Sequence, residues 1–167
     1  MGPTGVSMRS YQVFSEMSAD RANAVMSELA KTAPQMYKQA LVAASAAMNA
    51  RPVYLKRQPF EKQAQAVRRA LARVAANGVA EEILAVYFLE CRKELLVEWL
   101  DVLGIEHDDG TLKDDTPTAP DRATLKKARD KFCAVDDDGD RSLLLSAFAA
   151  QSAVDWPDLE ALLDEGS

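Results

Sequence analysis

Apolar residues recur along this chain at helical spacing, and strict apolar–polar alternation never persists over a useful length. Leu125, Ala128, Phe132 and Val135 show the pattern: steps of three and four place them on one face of a helix. Only "YQVF" from Tyr11 and "RPVYL" from Arg51 read as strand-like, and neither has an obvious pairing partner.

Start and stop residues divide the remainder. A helix is expected from near Ser18 to near Lys31. Thr32-Ala-Pro-Gln35 has the form of a capping box, with Pro34 in the first turn of a helix running to about Asn49. Pro59 should open a long helix through about Ala76, closed by Asn77-Gly78. Val79 to Leu103 is strongly apolar and ends at Gly104, and the polar Cys91-Arg-Lys-Glu94 splits it into two packed helices. Gly104 to Asp121 is acidic and Pro-containing, and reads as a loop. Pro120 then opens a helix to about Val135, "DDDGD" is a loop, and "RSLLLSAFAAQ" is a helix. Asp155 is the expected N-cap of the last helix, with Val154 and Leu159 as its hydrophobic staple.

Composition sharpens this into a fold class. The chain holds 28 Ala and 18 Leu against two Ile, a balance of strong helix formers over β-branched residues. The expectation is an all-α protein, a compact bundle of about seven to eight short helices forming one domain over residues 1–167. Its core should include Leu71, Val74, Ile83, Tyr87, Leu96, Trp99, Leu100, Phe132, Leu144, Phe148, Leu159 and Leu162. A 61-residue offset aligns Pro59 with Pro120, Leu71 with Phe132, Val74 with Val135, Gly78 with Gly139, and Ile83 with Leu144. This suggests two stacked helical pseudo-repeats, 59–103 and 120–164, joined by the acidic loop 104–119, as in a short α-solenoid.

Charge is distributed unevenly. The net charge is −6, yet residues 51–73 carry seven basic side chains and one acidic one, while 74–121 carry twelve acids and three bases. Arg57, Lys62, Arg68, Arg69 and Arg73 are the candidate interaction surface. Nucleic acid is disfavoured as a partner because flanking acidic blocks oppose phosphate. A protein partner or self-association fits better. The longest apolar runs are far short of the ~20 residues that span a bilayer, and "MGPTGVSMRS" lacks the apolar core of a signal peptide. Two cysteines cannot form a disulfide framework. A soluble cytoplasmic protein without a membrane partner is the expectation.

Catalytic and cofactor motifs are missing. The seven glycines are scattered, leaving no phosphate loop, dinucleotide fingerprint or nucleophile elbow, so no cofactor is implied. "VDDDGDRSLLLSAF" approaches a calcium loop through Asp136, Asp138 and Asp140, but Arg141 replaces the required Gly and Ala147 the bidentate acid. His107, the only histidine, is flanked by Glu106, Asp108 and Asp109 and is the other weak metal candidate. Cys91 precedes Arg92 and Lys93, which could lower its pKa, but its favoured reading is a small buried apolar residue. The leading expectation is a non-catalytic interaction or scaffold module. The competing one is a small-molecule or metal-dependent enzyme using the acidic loop around His107.

Overall fold

A computed structural model describes residues 9–114, 117–135, 139–151, 154 and 156–165. Helix accounts for 75 % of the described residues, more than twice the average of soluble domains. Ten α-helices and a minute hairpin lie among the described residues, and the fold is all-α. The chain divides into two compact units, Ser10–Cys91 and Arg92–Ser167, with Arg9 grouped with the second.

The first unit holds α1 (Ser10–Glu16), α2 (Ala19–Thr32), α3 (Pro34–Ala47), α4 (Pro52–Lys56), α5 (Phe60–Leu71) and α6 (Asn77–Val86). A single π turn, Tyr87–Cys91, extends α6. Helix α5 packs on α1, α2 and α3, and α3 also packs on α4. Ala22, Ala40, Ala44, Ala64 and Ala80 are fully buried. Such small side chains at helix crossings let neighbouring axes approach closely. Larger residues, including Phe14, Met26, Leu29, Leu71, Ile83 and Leu84, fill the space between. Buried Ser45 satisfies its hydroxyl within its own helix, donating to the Leu41 carbonyl at 2.8 Å.

Local chemistry explains most boundaries, including those the sequence misplaced. Ser18 caps α2, its Oγ accepting from the Arg21 N–H at 3.0 Å. Thr32 is the last residue of α2 and not a capping residue, and α3 starts at Pro34 without a side-chain cap. Proline accounts for this. It disfavours helical geometry in the residue before it, and Ala33 sits at φ −130°, ψ 65°. The long helix expected from Pro59 to Ala76 stops at Leu71, and Asn77-Gly78 opens α6 instead of closing α5. The Asn77 side chain serves another helix: its Oδ1 accepts from the Tyr11 N–H at 3.0 Å, at the start of α1. Both strand-like segments are helical. "YQVF" lies in α1, which buries Val13 and Phe14, and "RPVYL" forms α4 behind Pro52 at its first position.

The second unit holds α7 (Lys93–Leu103), α8 (Arg122–Cys133), α9 (Asp140–Ala149) and α10 (Pro157–Glu165). The expected break near Cys91–Glu94 falls at Arg92, and Gly104 ends α7 in the left-handed region at φ 75°. Asp121, not Pro120, opens α8, its carboxylate accepting from the Thr124 N–H at 2.8 Å. The expected N-cap Asp155 lies outside the described residues. Four rings form a chain through the core, Trp99–Phe132 at 5.3 Å, Trp99–Phe148 at 6.0 Å and Phe148–Trp156 at 5.3 Å.

The 104–121 segment contains a two-stranded hairpin, β1 (His107–Asp108) and β2 (Thr111–Leu112). Asp109 and Gly110 both have positive φ, 55° and 96°, the geometry of a type I′ turn. Ten of the twelve expected core residues are buried. Leu96 is half-buried and Val74 is 67 % exposed, because α5 ends before Val74 can share its inward face. Val135 is exposed for the same reason beyond the end of α8. The unit division at Arg92 falls inside the segment 59–103, and the aligned glycines differ: Gly78 is helical, whereas Gly139 has φ 84°.

Candidate functional site

In the first unit, a side-chain network fixes the α4 turn against its neighbours. Tyr37 of α3 donates its hydroxyl to Gln63 Oε1 of α5 at 2.7 Å. The Gln63 amide donates in turn to the carbonyls of Lys56 at 3.2 Å and Gln58 at 2.9 Å. One glutamine thus ties together α3, α5 and the chain leaving α4. The Tyr37 ring stacks on Phe60, centroids 5.7 Å apart, and burial pushes its phenol pKa up to about 12.

What this scaffold holds outward is unusual. Helix α4 buries Leu55 but leaves Val53 50 % and Tyr54 52 % exposed. Val42, Met48 and Phe60 are exposed too, so five of the seven exposed large apolar residues described lie between 42 and 60. Single exposed apolar residues are ordinary, whereas five between positions 42 and 60 depart from that scatter.

The predicted basic residues follow α4 and run along α5. Arg57 follows α4 as its C-cap; Lys62, Arg69 and Arg73 are exposed on α5 and just after it. Arg68 is half-buried, its Nε donating to Gln65 at 3.1 Å. No ion pair involves any of the seven basic side chains of 51–73 among the described residues. The exposed apolar residues escaped the sequence reading, although α4 carried a clue. Val53, Tyr54 and Leu55 are consecutive, and helix neighbours point about 100° apart, so a one-turn helix cannot bury all three.

The weak metal candidates are engaged elsewhere or lie beyond view. Asp140 is fully buried and accepts from Arg92 Nη1 at 2.8 Å. Arg141 pairs with Glu98, donates to the Phe132 carbonyl at 3.1 Å and lies 4.7 Å over the Phe132 ring. Asp136 and Asp138 fall outside the described residues. His107 Nδ1 accepts from the Gly110 N–H at 3.0 Å, and Nε2 lies 2.7 Å from Asp101 Oδ1. The first contact requires a lone pair on Nδ1, so Nε2 carries the proton and donates to Asp101. Both ring nitrogens therefore stabilise the hairpin. Among the described residues no group of three or more His, Cys, Asp or Glu is arranged to hold a metal.

Cys91 also departs from the reactive reading. Burial pushes its thiol pKa up, opposite to what a nucleophilic thiolate needs. Its expected activators are occupied, Arg92 by Asp140 and Glu94, and Lys93 by Asp109.

Compared with known protein families, curated proteins and solved structures, the chain matches none. Among the described residues no helix is long and apolar enough to cross a membrane.

Proposed function

We propose that the protein is a non-catalytic interaction module whose docking surface is formed by α3, α4 and α5. One observation carries this reading: Val53 and Tyr54 are exposed within a basic stretch whose side chains have no ionic partner among the described residues. Exposed apolar area forgoes about 25 cal/mol per Å² that burial would recover. Unpaired cations at the edge of such a surface steer association with an oppositely charged partner. The Tyr37–Gln63 network supports the reading further, because a surface held rigid loses less entropy on binding. A cytoplasmic location belongs to the proposal, supported by Cys91 and Cys133, neither of which is in a disulfide.

The test is affinity capture from the native host with wild type and with a variant carrying Lys56→Glu, Arg57→Glu, Lys62→Glu and Arg69→Glu. Wild type should retain a protein at near-stoichiometric yield that the variant loses, while circular dichroism shows the same helix content for both. Equal capture by the two proteins, or capture by neither, overturns the reading.

A further inference from the structure

We infer that the occupant of this surface is an acidic amphipathic segment of a different protein, one that brings carboxylates and large apolar side chains together. The inference rests on the interaction reading above and names its partner class.

The fold accounts for only some of this surface's cations. Arg51, Lys56 and Arg57 bracket Val53 and Tyr54 in sequence, while Lys62 and Arg69, seven residues apart in α5, share a face, and Arg73 follows the helix in extended conformation. Favourable interaction with the helix dipole accounts for Arg68 and Arg69, which lie in the last turn of α5. Lys62 is in the first turn, where that dipole opposes a cation. Lys56 lies in the last turn of the five-residue α4 and Arg57 is its C-cap, where a helix dipole favours cations. Arg51 precedes that helix, at the end where the dipole opposes one. Acids outnumber bases by 26 to 20 in the chain, so the lack of any ion pair between the densest basic run and the described residues leaves its charge available to something outside.

The apolar residues narrow the choice of occupant. A symmetric dimer through this face would set a +6 segment against itself, and like charges brought together are repulsive. Docking onto the second unit of another copy would supply acids, nineteen against nine bases over 92–167. That unit exposes only Val135 as a large apolar side chain among its described residues, too little to cover five. A nucleic acid would satisfy the cations but leave Val42, Met48 and Val53 without an apolar counterpart. An anionic bilayer would offer both chemistries, but as an extended plane it meets a molecule of net charge −6. A narrow peptide can engage the basic, apolar face alone. An acidic segment with large apolar anchors, as in helix-in-groove recognition, supplies both complements.

The experiment is selection of a randomised peptide library, displayed on phage, against the full chain. Enriched peptides should carry net negative charge and at least two large apolar residues. Synthesised, they should bind about tenfold or more weakly to the four-site charge-reversal variant and to Val53→Ser/Tyr54→Ser, and bind less as salt rises. Selection of neutral or basic peptides, no enrichment, or binding indifferent to both variants overturns the inference. So does tighter binding to phosphatidylserine vesicles or duplex DNA than to any selected peptide, and so does concentration-dependent self-association lost in the variants. Native capture that depends on residues 51–73 while the selected peptides are not acidic would remove the partner class and leave the interaction module standing.

Discussion

The two units solve the problem of a helical core with different materials. Residues 10–91 contain 19 of the 28 alanines and pack helices closely over small side chains. Residues 92–167 contain both tryptophans and build their core on a chain of four rings, with the Arg92–Asp140 pair partly buried beside it. Polar groups differ as well. The second unit turns Arg92, Arg129 and Arg141 onto an acid, a carbonyl and a ring, whereas among the described residues no ion pair reaches the densest basic run of the first. Charge that is consumed internally stabilises a fold, and charge left exposed is available for contact. The proposed docking surface belongs to the first unit. The difference is measurable unit by unit, because all four tyrosines lie in the first and both tryptophans in the second.

The largest expected effect is in the ring chain. Trp99→Ala removes a fully buried side chain in contact with Phe132 and Phe148, and should cost about 3–5 kcal/mol. Urea unfolding followed by Trp156 fluorescence would register it, and a cost below about 1 kcal/mol would show that the rings are not the core. Asp140→Ala should follow, at about 2–3 kcal/mol, below the usual cost of breaking a buried pair because the Arg92 side chain is 27 % exposed and can rehydrate. An unchanged tryptophan transition in this variant would sink the claim.

The first unit should fail by the opposite change. Ala64→Leu forces a larger side chain into a fully buried helix contact and should cost about 1–3 kcal/mol, read by tyrosine signals. A neutral result would mean that the alanine contacts are loose. Glycines sharpen the contrast at smaller scale. Gly104→Ala places a β-carbon at φ 75° and should destabilise by about 1 kcal/mol, although the surrounding space is open. Gly78→Ala, helical and equally open, should stabilise by about 0.5 kcal/mol. Matching signs for the two would contradict the backbone assignments.

Extremes of pH should separate the units by small amounts. In the second, hydrogen bonds from Arg141 hold Glu98 below the ordinary glutamate value of 4.5, while those from Thr124 and Arg129 lower Asp121 and Asp130. Their contribution is present above the ordinary carboxylate range and is lost as pH falls through the depressed values. In the first, burial raises Tyr37 from 10.0 to about 12 and raises Cys91 above 9.0. Here the neutral form is favoured in the folded state, so stability is present below those ordinary values and lost as pH rises, for Tyr37 between 10 and about 12. Acid should therefore lower the tryptophan transition first, and alkali the tyrosine one.

Legibility followed the range of the interaction responsible. Ser18 and Gly104 were readable because a cap needs only its own turn. The Asp109-Gly110 turn was readable too, since that dipeptide is a common type I′ hairpin signal, yet it was passed over within a polar loop. Asn77 was not readable as an opener, because its side chain bonds a residue 66 positions away. Of the candidate surface, Arg57, Lys62, Arg69 and Arg73 were visible as a charge cluster. Their lack of ion pairs was not, since pairing depends on which acids the fold brings near.

The Ala and Leu excess, the prolines and the local caps determined by themselves that the chain is all-α and where most helices begin. These are properties of single turns, set by backbone entropy and nearby donors. Tertiary structure decided that Val13 and Phe14 bury as a helix, that Asp140 binds Arg92, and that Val53 and Tyr54 remain in water. Each depends on atoms distant in sequence: burial is a property of what packs over a residue, and an ion pair exists only where folding brings its two ends together.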